Sequence, residues 1–320
     1  MTPPGAPSRV ACMAKTDKPA ALSRPRRYSL QGTALEVAKP TPGLYLVATP
    51  IGNLADISLR ALEVLAGADV IACEDTRVSR RLTERYGIDT PLTPYHEHNA
   101  AEARPKLLAR LAAGQSVALV SDAGTPLISD PGYKLVRAAQ DAGHHVTAIP
   151  GASSVLTALN VAGLPTDRFF FEGFLPPKQA ARQKRIAALS GIPATLVLFE
   201  SGPRLAATLA DLVAGLGARA AAVCRELTKL HEEVRRGDLA TLARDYAQGA
   251  ETRGEIVIVV APPTDEAEAV DVDALLRRAL ARVSLKDAVG EVALASGRPR
   301  REVYQRALEL TKDSGDGAAH

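Results

Sequence analysis

The run Ser121-Asp122-Ala123-Gly124-Thr125-Pro126 sets a carboxylate, two hydroxyls and a glycine directly behind the apolar residues 117–120. Small and turn-forming residues at the end of a buried strand let a ligand approach backbone N–H groups, and Asp122 adds an anionic acceptor. An ordinary strand-to-helix turn has the same composition, so the run has to be weighed with its neighbours. Asp130-Pro131-Gly132 then reads as a helix start, with Asp130 as N-cap and Pro131 at the first helical position.

Two further groups bear chemistry. Glu74-Asp75-Thr76-Arg77 closes one strand-like stretch, and Tyr95-His96-Glu97-His98-Asn99 closes another. Asp75, then His96, with Glu74 beside them, are the proton acceptors a reacting hydroxyl would need. Asp75 is equally suited to capping a helix or pairing with Arg77, and His96 to a satisfied polar loop. Arg77, Arg80, Arg81 and Arg85 follow at helical spacing, as a solvated face or a phosphate-facing one, since a guanidinium fork matches phosphate oxygens. Zinc would need about four ligands, and the cysteines lie elsewhere, so no metal is expected.

These groups require a scaffold that brings strand ends together. Residues 43–49, 68–73, 117–120 and 145–149 are apolar runs alternating with helical stretches. This grammar predicts a parallel α/β sheet whose loops open on one edge. Pro150-Gly151-Ala152-Ser153-Ser154 supplies one more small-residue loop there. An N-terminal parallel α/β domain is expected over 43–166. A second α/β domain with a mixed sheet follows over 167–262, and its basic helix carries Lys178, Arg182, Lys184 and Arg185. Residues 263–320 read as a linker and a helical appendage, with helices at 271–282, 284–296 and 300–311.

Composition narrows the class. With 46% hydrophobic residues, 4% aromatic and no Trp, the core must be aliphatic. Cys12, Cys73 and Cys224 form neither a disulfide framework nor a metal pattern, which points to a cytoplasmic protein with reduced thiols. No apolar run suits a membrane span. Residues 1–40 carry seven Lys/Arg against Asp17 and Glu36, a net of +5 within a chain total of +3. Residues 1–42 read as a flexible basic tail, and the rest is slightly acidic, so nucleic-acid affinity must come from local patches.

Eight ordered blocks resemble the tetrapyrrole methylase superfamily and, within it, the small-subunit ribosomal RNA ribose methyltransferases. They begin at Ala48-Thr49-Pro50-Ile51-Gly52-Asn53, Glu74-Asp75-Thr76-Arg77 and Tyr95-His96-Glu97-His98-Asn99. The run from Val120 to Gly132, Ile149-Pro150-Gly151-Ala152-Ser153-Ser154 and Phe171-Glu172-Gly173-Phe174 continue them. Cys224-Arg225-Glu226-Leu227-Thr228-Lys229 and Gly254-Glu255 complete the set. The resemblance implies S-adenosylmethionine as methyl donor, in the cleft between two α/β domains, and a homodimer. By position, Ile51, Asp122, Gly124, Thr125, Ser153, Ser154 and Glu255 fall where relatives touch the donor. The implied reaction is 2′-O-methylation of a cytidine in small-subunit (16S) ribosomal RNA, the partner being that RNA within the small ribosomal subunit. Arg77, Arg80, Arg81, Lys178, Arg182 and Lys184 would contact its phosphates. A precorrin-type C-methyltransferase and a non-enzymatic RNA-binding or assembly factor are the alternatives. One departure is local: Ser201-Gly202-Pro203-Arg204 stands where relatives read Ser-Pro-His-Arg.

Overall fold

The computed structural model describes residues 26–130, 132–249, 252–263, 272–296 and 299–313. The chain divides into two compact units, Met1–Pro50 with Leu54–Ala152, and Ile51–Asn53 with Ser153–His320. The boundary falls near residue 152, ahead of the expected one at 166.

The first unit opens with a hairpin of β1 (Arg27–Leu30) and β2 (Thr33–Glu36), turning on Gln31 and Gly32, both at positive φ. Paired positive φ values give the two-residue turn whose twist suits a hairpin. Tyr28 is buried in the core, and the Ser29 N–H donates to the Tyr86 carbonyl at 2.6 Å. Arg26 and Lys39 both reach the Asp69 carboxylate, at 2.9 and 2.8 Å. The flexible tail expected over 1–42 is therefore ordered from Arg26 onward, because one aromatic anchor and two ion pairs hold it down. Residues 1–25 lie outside the described residues.

Next come β3 (Gly43–Val47), α1 (Leu59–Gly67), β4 (Val70–Cys73), α2 (Thr76–Arg85), β5 (Leu92–Pro94), α3 (Ala100–Ala112), β6 (Ser116–Val120), α4 (Tyr133–Asp141) and β7 (Val146–Ile149). The five strands β3 to β7 form one parallel sheet in the order β5-β4-β6-β3-β7. The central strands β4 and β6 are buried throughout, which is why they read as unbroken apolar runs. From β3 the chain crosses β6 to reach β4, whereas from β6 it crosses β3 to reach β7. The two connections leave in opposite directions, so the β3 and β6 loops flank a topological switch point, where open α/β sheets bind ligands. One expectation changes here. Helix α4 starts at Tyr133 behind Gly132, whose φ is 142°, and no side chain caps it. Asp130 is therefore not its N-cap, and Pro131 lies outside the described residues.

The second unit contains α5 (Ser154–Ala162), β8 (Phe169–Phe174), α6 (Gln179–Leu189), β9 (Thr195–Ser201), α7 (Leu205–Leu216), β10 (Ala220–Arg225), β11 (Glu233–Asp238), α8 (Leu239–Gln248) and β12 (Glu255–Val260). Its sheet runs β11-β10-β12-β9-β8, antiparallel except for the β8–β9 pair, so it is mixed. Helix α5 packs on β10, β11 and β12, and Arg236 donates to the Val161 and Ala162 carbonyls at its end. These contacts place α5 in the second unit and move the boundary. The departure at Gly202 has a local reason: a Cβ there would collide with the Thr252 carbonyl. Helices α9 (Val272–Leu280), α10 (Leu285–Ser296) and α11 (Arg300–Asp313) close on their own core of Leu276, Ala288, Val292, Val303 and Ala307. Among the described residues no helix is long and apolar enough to cross a membrane.

Candidate active site

The carboxyl ends of the parallel strands converge in the first unit. Thr49, behind β3, and Gly124, behind β6, exchange two backbone hydrogen bonds of 2.9 and 3.0 Å, an antiparallel bridge across the switch point. The Thr49 hydroxyl also donates to the Ser121 carbonyl at 3.2 Å. Thr125 donates to the Ala152 carbonyl at 3.2 Å, tying in the loop behind β7. Gly151 comes so near β3 that a Cβ would lie 3.0 Å from the Ala48 Cβ. Three loops are thus locked together through backbone and short side chains, and backbone strain collects in one of them. Gly124, Leu127 and Ser129 have φ of 78°, 74° and 64°. For a leucine such a backbone is costly and persists only where its surroundings enforce it, as at ligand sites.

Four carboxyl groups crowd this edge. Asp122 accepts the Asp75 backbone N–H at 2.9 Å, which links the ends of β6 and β4. Burial, then the nearby Asp122, Asp130 and Asp75, pushes the Glu74 carboxyl above the usual glutamate range. Asp130 is also raised, by burial and by Asp122, with the Ser121 hydroxyl opposing. Burial leads both shifts, and the neighbouring carboxylates add to it.

Asp75 differs from its neighbours. It caps α2 by accepting the Arg77 N–H at 2.8 Å, and its carboxylate also takes the Arg77 guanidinium at 2.6 Å. Arg77 holds its pKa down at about 2. A carboxylate this acidic and this occupied is a poor proton acceptor at neutral pH. His96 follows β5, whose pairing with β4 extends through Tyr95 N–H to the Cys73 carbonyl at 2.8 Å. Its Nδ1 is buried without a hydrogen-bond partner, so the imidazole has one nitrogen uncommitted. Of the three acceptors expected from the sequence, Asp75, then His96, then Glu74, the pKa is raised at Glu74 and depressed at Asp75.

The remaining candidates separate. Asp122, Gly124 and Thr125 come together in the first unit, whereas Ile51, Ser153, Ser154 and Glu255 belong to the second. Ser153 caps α5 through Leu156 N–H, with Ser154 its first residue. Ile51 is buried, and Gly52 and Asn53 beside it pack on Thr228 and Lys229. Glu255 pairs with Lys229 at 3.1 Å, and Lys229 also pairs with Glu226 at 2.9 Å. Arg80 and Arg81 are exposed on α2. Lys178 and Lys184 are exposed at α6, but Arg182 is buried, 2.7 Å from Asp211, which Gln183 also binds. Arg182 therefore cannot serve as a phosphate contact. Arg185 is likewise engaged, by Glu172. Thr49 and Asp130 were not legible as site residues. Thr49 reads as a strand end, and Asp130 as a cap. Among the described residues no three potential metal ligands converge.

Residues 43–243 match the Tetrapyrrole (Corrin/Porphyrin) Methylases, and residues 266–311 match the RsmI C-terminal HTH domain. A Ribosomal RNA small subunit methyltransferase I from Mesorhizobium japonicum is 55% identical over 278 residues, covering 86% of this chain and 95% of that one. One of the same name from Pseudomonas aeruginosa is 46% identical, covering 83% and 96%. Among solved structures, a cobalt precorrin-4 methyltransferase of cobalamin biosynthesis shares the fold, with a TM-score of 0.52 at 16% identity over 68% of this chain and 94% of that one.

Proposed function

The chain belongs to the tetrapyrrole methylase family, and on that premise we propose that it methylates the ribose 2′-hydroxyl of a cytidine in small-subunit ribosomal RNA, with S-adenosylmethionine as donor. The observation that carries this reading is the order of groups along one edge. A cluster of carboxyls at the switch point passes directly, through Asp75, into a helix of exposed arginines.

The first-unit residues suit a cationic donor. A sulfonium and an ammonium would offset the negative charge of this half-buried carboxyl cluster, whose members burial and mutual repulsion raise at Glu74 and Asp130. Gly124, at positive φ, presents backbone rather than side chain beside Asp122 and Thr125. When bound, the donor supplies an already activated methyl group, so the protein's task is chiefly alignment. Glu74 is the group best able to accept the 2′-hydroxyl proton: its raised pKa makes it a stronger base than Asp75, whose pKa Arg77 holds down. His96 is the second acceptor by geometry. Asp75 holds Arg77.

The exposed arginines of α2 favour a polyphosphate chain. Arg77, Arg80, Arg81 and Arg85 span nine residues, a rise of about 12 Å along the helix, which is a track rather than a converging pocket. Lys178 and Lys184 add exposed cations in the second unit. Both compared relatives bear the name of a ribosomal RNA methyltransferase, which supports RNA over a tetrapyrrole.

The test is methyl transfer from labelled donor to small ribosomal subunits, to deproteinised ribosomal RNA and to a precorrin-type tetrapyrrole. Nuclease digestion and mass spectrometry of the RNA should return 2′-O-methylcytidine. Label on a base, on the tetrapyrrole or on nothing would each overturn the proposal. The homodimer implied by the family belongs to the same reading, and sedimentation equilibrium tests it.

A further inference from the structure

The C-terminal three-helix unit contains a site that the methyl-transfer reading does not use. Helices α10 and α11 border an open hollow of about 230 Å³ lined by Lys286, Val289, Arg300 and Tyr304. Val289 is buried and forms its floor. Tyr304 is 46% exposed, although Val303 and Ala307 on the same helix enter the core. Arg300 and Tyr304 are one turn apart and share a face of α11. The Arg300 guanidinium lies over α10, where a Cβ on Gly290 would come within 2.8 Å of Nη2.

The charges around the hollow sort themselves. Arg282 pairs with Glu291, and Arg306 with Asp273 and Glu309. Lys286 and Arg300, the two cations at the rim, have no acidic partner among the described residues. Arg277, Arg278 and Arg301 also have no ion pair among the described residues, but it is Lys286 and Arg300 that border the open aromatic ring. From Val272 to Thr311 the chain carries eight Lys/Arg against five Asp/Glu, so the surrounding field also favours an anion.

We infer that this hollow binds a segment of single-stranded RNA, one base stacking on Tyr304 while Lys286 and Arg300 hold the flanking phosphates. An aromatic platform beside paired cations is the arrangement by which single strands are held without sequence readout. An acidic peptide would satisfy the two cations but leave the tyrosine face without a planar partner, so RNA fits the whole set. The inference rests on the RNA reading of the active site and adds a second anchoring point, distinct from the arginines of α2.

The chain has no tryptophan, so Tyr304→Trp places a single indole in the hollow. The probes are a cytidine-rich single-stranded oligoribonucleotide and, as a charge-only control, inorganic polyphosphate. Indole fluorescence should be quenched by the oligonucleotide and not by polyphosphate. In methyl transfer to small ribosomal subunits, Tyr304→Ala should raise KM about tenfold with kcat unchanged, within the range for loss of one stacked base. Tyr304→Phe should restore it. Lys286→Gln with Arg300→Gln should lower the salt slope of oligonucleotide binding by about 1.4, or about 0.7 for each phosphate no longer neutralised.

Absence of quenching, or an unchanged KM in Tyr304→Ala while the wild type methylates RNA, overturns the inference. Quenching by intact subunits but by no deproteinised RNA would assign the hollow to a protein partner and overturn it equally. If the wild type methylates no RNA, the active-site reading fails, and the fluorescence experiment still decides the hollow independently.

Discussion

Two loops hold strained backbone, and they treat charge in opposite ways. In the first unit, residues 124–132 contain positive φ at Gly124, Leu127, Ser129 and Gly132, beside carboxyls whose pKa values are raised. In the second unit, Glu226 and Thr228 also have positive φ, at 52° and 64°. There, however, Glu226 accepts the Glu255 N–H and pairs with Lys229, while Glu232 accepts the Thr228 N–H. Burial alone would raise Glu226, but those donors and Lys229 leave it below its ordinary value. Strain by itself therefore does not mark the reactive place. In the proposed site strain coincides with half-buried carboxyls that have, among the described residues, no cationic partner of the kind Lys229 gives Glu226.

The contrast breaks most decisively at Glu74. Glu74→Gln should slow single-turnover methyl transfer by roughly 10²–10⁴-fold, with donor and RNA affinities nearly intact, as expected for loss of a general base. Since its pKa is raised, the wild-type rate should fall as pH drops through a value above the usual glutamate pKa of about 4.3. That acid limb should vanish in the variant. Asp75→Asn, by contrast, should leave the limb in place. If Asp75→Asn removes the limb and Glu74→Gln does not, the assignment reverses.

Compensated charge in the second unit should matter to folding and not to chemistry. Arg182→Ala leaves Asp211 buried without its partner and should cost about 3–5 kcal/mol in denaturant unfolding. Its RNA salt slope should stay at the wild-type value. A normal stability with weakened RNA binding would restore Arg182 to the RNA surface.

Glycine strain can be separated from glycine function by a matched pair. Gly124 and Gly114 have φ of 78° and 71°, and a Cβ at Gly114 meets nothing within 4 Å. Valine at either position should incur a similar backbone penalty of about 1–2 kcal/mol. Only Gly124→Val should weaken donor binding, by roughly 10–100-fold in calorimetry, equivalent to about 1.4–2.8 kcal/mol. Equal affinities in the two variants would remove the loop from the donor site.

Smaller effects are expected on the flanks. Arg80→Glu with Arg81→Glu should flatten the salt dependence of RNA binding by about 0.7 for each phosphate the pair had neutralised. An unchanged slope would move the RNA path off α2. Lys229→Met should cost about 1 kcal/mol or less at neutral pH, as for a partly exposed ion pair. Glu226 has a lowered folded pKa, so its contribution is present above the unfolded value and lost as pH falls. The stability gap between variant and wild type should accordingly close in acid.

Much of the architecture was legible because burial on both faces leaves a strong trace in β3, β4 and β6, while the edge strand β7 is marked by the small-residue loop behind it. The strands β3, β4, β6 and β7 are short apolar runs ending in small or charged residues, and chain order alone implies a common edge. What was not legible depends on partners distant in sequence. Asp-Pro-Gly at 130–132 has the local grammar of a helix start, yet Asp130 reaches back to Ser121 across the loop. Arg182 sits among basic residues and reads as surface, but Asp211, 29 positions away, draws it inside. The order among Glu74, Asp75 and His96 likewise rests on which carboxylate Arg77 occupies, and residue types do not reveal that. The hairpin at residues 27–36 is not legible because its apolar alternation is weak, with Tyr28 buried and only Leu30 packing beside it.

Asp69 joins the hairpin to the sheet from the side opposite the loops. It takes Arg26 and Lys39, and it also accepts the Ser116 N–H at 2.8 Å where β6 begins. Burial would raise this carboxyl, but Lys39 and the Ser116 donors hold it below its usual range. The clasp therefore belongs to the amino ends of the strands, and the proposed reactive groups to their carboxyl ends. For protein engineering this means that the two ends can be altered independently. Loops behind β3, β6 and β7 can be exchanged to seek new substrates while the clasp keeps the strands registered. A fusion or affinity tag is best joined ahead of Arg26, where it leaves all the partners of Asp69 in place.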